Sequence, residues 1–204
     1  MKTICLLLIA LASSSYGQGT FIYDQSSATN PAAGGGATII QFDQPMGQSF
    51  TPTLSSIGFV QLNFNDVHSG NSLGATVYVN LWSGSVSNGI LLSSTDPVFM
   101  PDGVFRYVTN MFFSTAVTLT PGTTYYLQPF VQPGSDAWGL IDSTAFNYPG
   151  GTMYVNGAPD PNNQDLWFRE GVIDVPEPSS ATMILLGSGL FLYARHKHKK
   201  HSCT

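Results

Sequence analysis

The chain has 204 residues, of which 43% are hydrophobic and only 9% are charged, and it contains 21 Gly and 13 Pro. Coiled coils and charged disordered proteins are excluded because both need far more charge, about 25% being usual even for an ordinary soluble domain. A disulfide framework is also excluded, since the two cysteines, Cys5 and Cys203, lie near opposite ends of the chain.

The first 18 residues have the three parts of a secretory signal peptide. The positively charged Lys2 is followed by an apolar run at residues 4–12 and by small and polar residues up to Gly17. The apolar run is shorter than the roughly 20 residues that a membrane-spanning helix needs. We therefore predict that residues 1–18 are an export signal, the alternative being a buried N-terminal helix.

Residues 19–174 are predicted to form an all-β domain. Apolar and polar residues alternate along several short segments, which is typical of half-buried strands. Clusters of Gly, Pro, Asn and Ser between these segments predict turns. We expect an antiparallel, jelly-roll-like β-sandwich, with the glycine-rich residues 30–37 as a flexible loop. The alternating segments are residues 60–64, 76–82, 117–120, 125–131 and 166–168, with turns that include residues 69–71, 83–85, 101–103 and 121–122.

Three segments of this domain resemble jelly-roll domains that are common in secreted bacterial proteins. They are QSF at residues 48–50, FSTAVTLTPGTTYY at residues 113–126 and DLWFR at residues 165–169. The resemblance covers most of residues 45–170. Such domains are accessory or anchored surface modules, so the resemblance implies a fold and not an activity.

The predicted domain is acidic and lacks lysine. Residues 19–175 contain eleven acidic side chains and two basic ones, Arg106 and Arg169, which gives a formal charge of −9. A surface of this charge repels phosphate backbones, so nucleic acid is excluded as a partner. We expect Arg169 to pair with Asp165 on one strand face.

No residues in the domain form a recognisable catalytic pattern, and we predict that the protein is not an enzyme. The domain's only histidine, His68, lies in a predicted hairpin loop, and the nucleophile-elbow pattern G-x-S-x-G is absent. One His without Cys also argues against zinc. Glu170 is the only Glu of the domain, and nothing marks a partner for the carboxylate pair that glycoside hydrolysis needs.

Oxygen ligands for calcium are concentrated at residues 160–165. Asp160 and Asp165 flank two asparagines, and calcium prefers carboxylate and amide oxygens. The alternative is ordinary turn chemistry, for which Asp, Asn and Pro are also preferred. Apart from this calcium site, no cofactor is expected.

Three tryptophans are candidates for stacking on sugar rings. Trp82 lies opposite the predicted core face of its strand, together with Tyr78. Trp167 likewise points away from the face that Leu166 and Phe168 share. Trp138 is the third candidate. The alternative is that these large rings fill or cover the sandwich, since Trp is usually largely buried.

The C-terminal part has three features in a fixed order. Pro176, Glu177 and Pro178 are followed by the apolar residues 181–194 and by a basic cluster from Arg195 to His201. The apolar run is marginal for a membrane span, and the positive-inside rule would keep the basic cluster in the cytoplasm. The alternative is a permanent single-span anchor with a proline-rich stalk.

This segment, residues 175–204, resembles the PEP-CTERM sorting signal of Gram-negative bacteria. The resemblance implies that Pro176, Glu177 and Pro178 are recognised by an exosortase, a membrane-embedded cysteine transpeptidase, while a hydrophobic helix holds the chain in the membrane. It also implies a link to surface or extracellular polysaccharide. We therefore predict an exported, non-catalytic cell-surface or extracellular-matrix protein, the alternative being a carbohydrate-binding accessory module.

Overall fold

A computed structural model describes residues 19–86, 88–132 and 136–175. The predicted signal peptide, the Pro-Glu-Pro motif, the apolar helix and the basic tail lie outside the described residues. Among the described residues there is no helix that is long and apolar enough to cross a membrane. Their regular elements are fourteen strands: β1 (Thr20–Ser26), β2 (Gly36–Ile39), β3 (Gly47–Phe50), β4 (Ser56–Asp66), β5 (Ala75–Ser83), β6 (Ile90–Ser94), β7 (Val98–Met100), β8 (Tyr107–Thr118), β9 (Tyr125–Val131), β10 (Trp138–Ser143), β11 (Met153–Val155), β12 (Ala158–Pro159), β13 (Asp165–Leu166) and β14 (Phe168–Asp174).

The strands form two antiparallel sheets that pack as a sandwich, as the sequence predicted. In sheet A, the long strand β4 is central and pairs with β8, β10 and β14. In sheet B, β5 and β9 lie side by side in the middle, with β3 and β11 beyond β9, and with β6 and β7 beyond β5. The jelly-roll likeness stays a prediction.

The alternation in the sequence places apolar side chains in the core between the sheets. Val60, Leu62 and Phe64 of β4 are fully buried in one hydrophobic cluster with the inward side chains of β5. Burying each side chain of this size contributes about 1.5–3 kcal/mol. Predicted turns also form where glycine permits a positive φ, as at Gly84 (φ 86°) and Gly122 (φ 78°).

The outer face of β4 is buried as well, which alternation alone did not predict. Gln61 and Asn63 point away from the core, yet both are buried. Gln61 donates to Asn110 Oδ1 of β8 at 2.7 Å, whereas Asn63 is covered by the segment at residues 28–34. The Asn63 amide donates to the Pro31 carbonyl oxygen at 2.8 Å, and a second hydrophobic cluster of Ile141, Phe146 and Trp167 packs against this segment.

The loop predicted at residues 30–37 is present up to Gly35, and its flexibility stays a prediction. Its end, from Gly36, belongs to β2 and pairs with β10. The Arg106 guanidinium donates to the carbonyl oxygens of Ala32, Ala33 and Gly34 at 2.8–3.2 Å. These long-range hydrogen bonds connect the loop to Arg106, immediately before β8.

Candidate functional site

The outer face of sheet B carries partly exposed aromatic rings. Because Val77, Val79 and Leu81 of β5 point into the core, the side chains between them point outward. The same alternation applies to β9, where Tyr125, Leu127 and Val131 are buried. We call the outward rings the aromatic face: Tyr78 and Trp82 on β5, Tyr126 and Phe130 on β9, and Tyr154 on β11.

The register of β5 and β9 arranges these rings in two groups. Tyr78 lies opposite Phe130, and their rings stack with centroids 5.7 Å apart and an angle of 15° between planes. Trp82 lies opposite Tyr126, whose ring meets that of Tyr154 edge-on at 5.4 Å. The two groups lie four positions apart along β5, which is about 13 Å at the usual rise of about 3.3 Å per residue.

The amide groups of Gln128 and Gln44 hold the indole of Trp82 in place. Trp82 Nε1 donates to Gln128 Oε1 at 2.7 Å, and Gln128 Nε2 donates to Gln44 Oε1 at 2.9 Å. Gln44 Nε2 in turn donates to the carbonyl oxygen of Pro129 at 2.8 Å. Each amide in this series of hydrogen bonds has a defined partner, so the orientation of the indole is set before any ligand binds.

A shallow cleft, widely open to solvent, lies at the Tyr78 end of the aromatic face. It has a volume of about 470 Å³ and is lined by Tyr78, Ser94, Thr95, Pro97 and Gln132. Its lining combines one aromatic ring with hydroxyl and amide groups, none of them charged. This is a mixture that can hold a ligand rich in hydroxyl groups.

Of the three predicted tryptophans, only Trp82 belongs to the aromatic face. Trp138 is 0% exposed in the main core, and Trp167 is 1% exposed in the second hydrophobic cluster. Neither ring is available to an external ligand in this structure. Tyr126, Phe130 and Tyr154 were not among the predicted residues, although the alternation of β9 indicates that Tyr126 and Phe130 point away from the core.

The predicted pair of Arg169 and Asp165 does not form. The Asp165 carboxylate accepts hydrogen bonds from Gln48 Nε2 at 2.8 Å and from the backbone N–H of Tyr148 at 3.0 Å. The Arg169 guanidinium lies over the Tyr23 ring, 4.6 Å from its centroid. The two residues are separated because the chain passes from β13, which pairs with β10, to β14, which pairs with β4.

The two aspartates proposed for calcium already have hydrogen-bond partners. Asp160 Oδ2 accepts from the backbone N–H groups of Asn162 and Gln164 at 3.1 and 3.0 Å, which is turn capping. Burial raises the pKa of Asp165. Within the described residues, no three His, Cys, Asp or Glu side chains lie together in a way that could hold a metal ion. Calcium at Asp160 and Asp165 stays a prediction.

His68 is solvent-exposed, as predicted for a loop histidine. Its side chain is 62% exposed, and its Nδ1 lies 3.2 Å from Asp136 Oδ1. Asp136 also accepts a hydrogen bond from Asn71 at 2.7 Å, which is the main reason that the pKa of Asp136 is lowered. These contacts link His68 and Asn71 to Asp136, and this structural role accounts for the presence of a histidine at position 68.

Glu170 is a buried carboxyl group on the inner side of β14. It lies opposite Val60 in the register with β4, and neither of its oxygens has a hydrogen-bond partner among the described protein atoms. Burial, with a smaller effect of the Asp24 charge, raises the pKa of Glu170 to about 8. At neutral pH the group is therefore largely protonated, and it contributes little negative charge to the domain.

Comparison with known families identifies the C-terminal part of the chain. Residues 174–200 match the model of the PEP-CTERM protein-sorting motif, and this match includes Pro176, Glu177 and Pro178. No curated protein matches the chain significantly. The chain thus combines a β-sandwich with a C-terminal sorting signal. The matched segment is a PEP-CTERM sorting motif, which implies export, association with the cell envelope and processing by an exosortase-type enzyme.

Proposed function

We propose that this protein is a non-catalytic component of the cell surface or extracellular matrix of a Gram-negative bacterium. The observation that carries this proposal is the match of residues 174–200 to the sorting motif. The apolar residues 181–194 hold the chain in the membrane until an exosortase-type transpeptidase processes it. The β-sandwich then remains outside the cytoplasmic membrane as the mature domain.

Replacing Pro176, Glu177 and Pro178 together with alanine is expected to block processing. The motif would be lost as a substrate while the β-sandwich is unchanged, so the uncleaved chain should stay with the membrane fraction. Mass spectrometry of the C-terminal peptides in membrane and extracellular fractions measures this. Ser180→Ala is the matched control, since it alters the matched segment outside the three-residue motif and should be processed normally.

Two results would contradict the sorting proposal. One is wild-type extracellular protein that still carries its C-terminal peptide through Lys200. The other is normal processing of the triple-alanine variant. Either result would support the permanent anchor or another export route.

The aromatic face favours a second candidate function, carbohydrate binding. Sugar rings present C–H-rich faces that pack against aromatic rings, and large flat rings supply much contact area at little cost in side-chain entropy. Trp82 is partly exposed and held by the hydrogen bond to Gln128. This supports a polysaccharide-binding role for the exported domain, with Trp82 as the central contact.

Trp82→Ala is expected to lower retention on insoluble polysaccharide about tenfold or more, as is usual for a central aromatic contact. Phe105→Ala is the control, because Phe105 is 73% exposed but lies outside the aromatic face. If binding were only apolar adsorption, Phe105→Ala would reduce it as well. Absence of wild-type retention on every glycan tested would reject carbohydrate binding.

A further inference from the structure

We infer that the aromatic face binds an extended, uncharged polysaccharide chain that runs along β5 and β9. This inference rests on the proposed carbohydrate-binding function and names the class of ligand. Two other carbohydrates are excluded as the preferred ligand: a single sugar and an anionic polysaccharide. Three features of the structure support this inference.

The first feature is the length of the aromatic face. The stacked pair of Tyr78 and Phe130 and the group around Trp82 lie about 13 Å apart along the strands, at about 3.3 Å per residue. A single sugar ring can cover one group but not both. A chain of several sugars that follows the strands contacts both groups and reaches the cleft beyond Tyr78.

The second feature is charge. The side chains of the aromatic face and of the cleft are uncharged, as are Gln128 and Gln44, which hold the Trp82 indole. The domain has a formal charge of −9, and its two cations are engaged elsewhere, Arg106 with the carbonyl oxygens of residues 32–34 and Arg169 with the Tyr23 ring. An anionic polymer would meet repulsion with no cation to offset it.

The third feature is the fixed orientation of the rings. The hydrogen-bond chain from Trp82 through Gln128 to Gln44 sets the indole, and Asn80 Oδ1 accepts from the Ser94 hydroxyl at 2.6 Å. A rigid surface loses little conformational freedom on binding, which favours a regular chain that presents the same ring face repeatedly. The hydroxyl and amide groups of the cleft can then pair with sugar hydroxyls at one end.

The inference is tested with the purified full-length protein and a panel of soluble ligands. The panel contains a neutral glucan, a neutral mannan, an anionic uronic-acid polymer, and glucose, mannose and their oligosaccharides of two and six units. Binding is measured by titration calorimetry and by affinity electrophoresis.

We expect at least one neutral polymer to bind, and its six-unit oligosaccharide to bind at least tenfold more tightly than its two-unit one. Between 50 and 500 mM NaCl, the affinity for the neutral polymer should change less than twofold, because no ion pairs are screened.

Variants at the two ends of the aromatic face test the extended contact. Tyr78→Ala and Trp82→Ala should each weaken binding of the six-unit oligosaccharide about tenfold or more. Phe105→Ala should leave it unchanged. Thermal unfolding of each variant, compared with wild type, identifies any loss that comes from unfolding.

The outcomes separate this inference from the function on which it rests. Equal affinity for one-unit and six-unit ligands, or tighter binding of the anionic polymer that Trp82→Ala weakens, would overturn the inference and leave carbohydrate binding intact. Binding that depends on Trp82 but not on Tyr78 would overturn the extended contact. No binding to any ligand would overturn carbohydrate binding itself, and the inference with it.

Discussion

Glu170→Gln is expected to stabilise the domain, and the gain should grow as the pH rises from about 5 to 8. In the folded state the pKa of Glu170 is about 8, whereas its ordinary value is 4.5. Between these values the folded state binds more protons than the unfolded state, so the wild-type free energy of unfolding falls as the pH rises. At about 1.4 kcal/mol per pKa unit, the free energy of unfolding of the wild type is about 3 kcal/mol lower at pH 7 than it would be without this pKa shift. Glutamine removes this loss because it has no proton to release.

Urea unfolding at pH 5, 6, 7 and 8 measures this effect. The difference between the Glu170→Gln and wild-type free energies of unfolding should increase steadily over the series. Asp174→Asn is the control, since it removes a carboxylate of the same strand that is exposed to solvent and not buried. Parallel curves for Glu170→Gln and wild type would show that the Glu170 carboxyl ionises normally in the folded domain.

Trp167→Ala is expected to lower the free energy of unfolding by about 3–5 kcal/mol, the usual cost of truncating a buried Trp. The ring is 1% exposed and packs with Ile141 and Phe146, and its Nε1 donates to the Asn30 carbonyl oxygen at 2.9 Å. Truncation leaves a cavity and releases the segment at residues 28–34 from sheet A. Urea unfolding measures the loss, and limited proteolysis should show new cleavage within this segment.

Two variants accompany Trp167→Ala as controls. Trp167→Phe keeps most of the apolar contact and removes the hydrogen bond, so it should cost much less than Trp167→Ala. Trp82→Ala removes a partly exposed ring and should cost less stability than Trp167→Ala while reducing glycan retention. A cost below about 1 kcal/mol for Trp167→Ala would contradict the assignment of this ring to the second cluster.

The strands and turns of the sandwich could be predicted because their signals are local. Alternation along residues 60–64 and 76–82 requires only that successive side chains of a strand point to opposite faces. Turns at Gly84 and Gly122 likewise depend on the φ preference of one residue. The burial of Asn63 on the outer face of β4 could not be predicted in this way, because it depends on a segment about 30 residues earlier in the chain.

The sequence by itself determined that the protein is exported and sorted, because a sorting motif is recognised as a linear string of residues. It also determined the all-β class, through an alternation that is visible along each strand. Only the tertiary structure decided which aromatic rings can reach a ligand. The three tryptophans look alike along their strands, but Trp138 and Trp167 are covered by other elements, while Trp82 lies beside Tyr126 in the pairing of β5 with β9. The burial of Glu170 was decided in the same way, since burial depends on packing between segments distant in the chain.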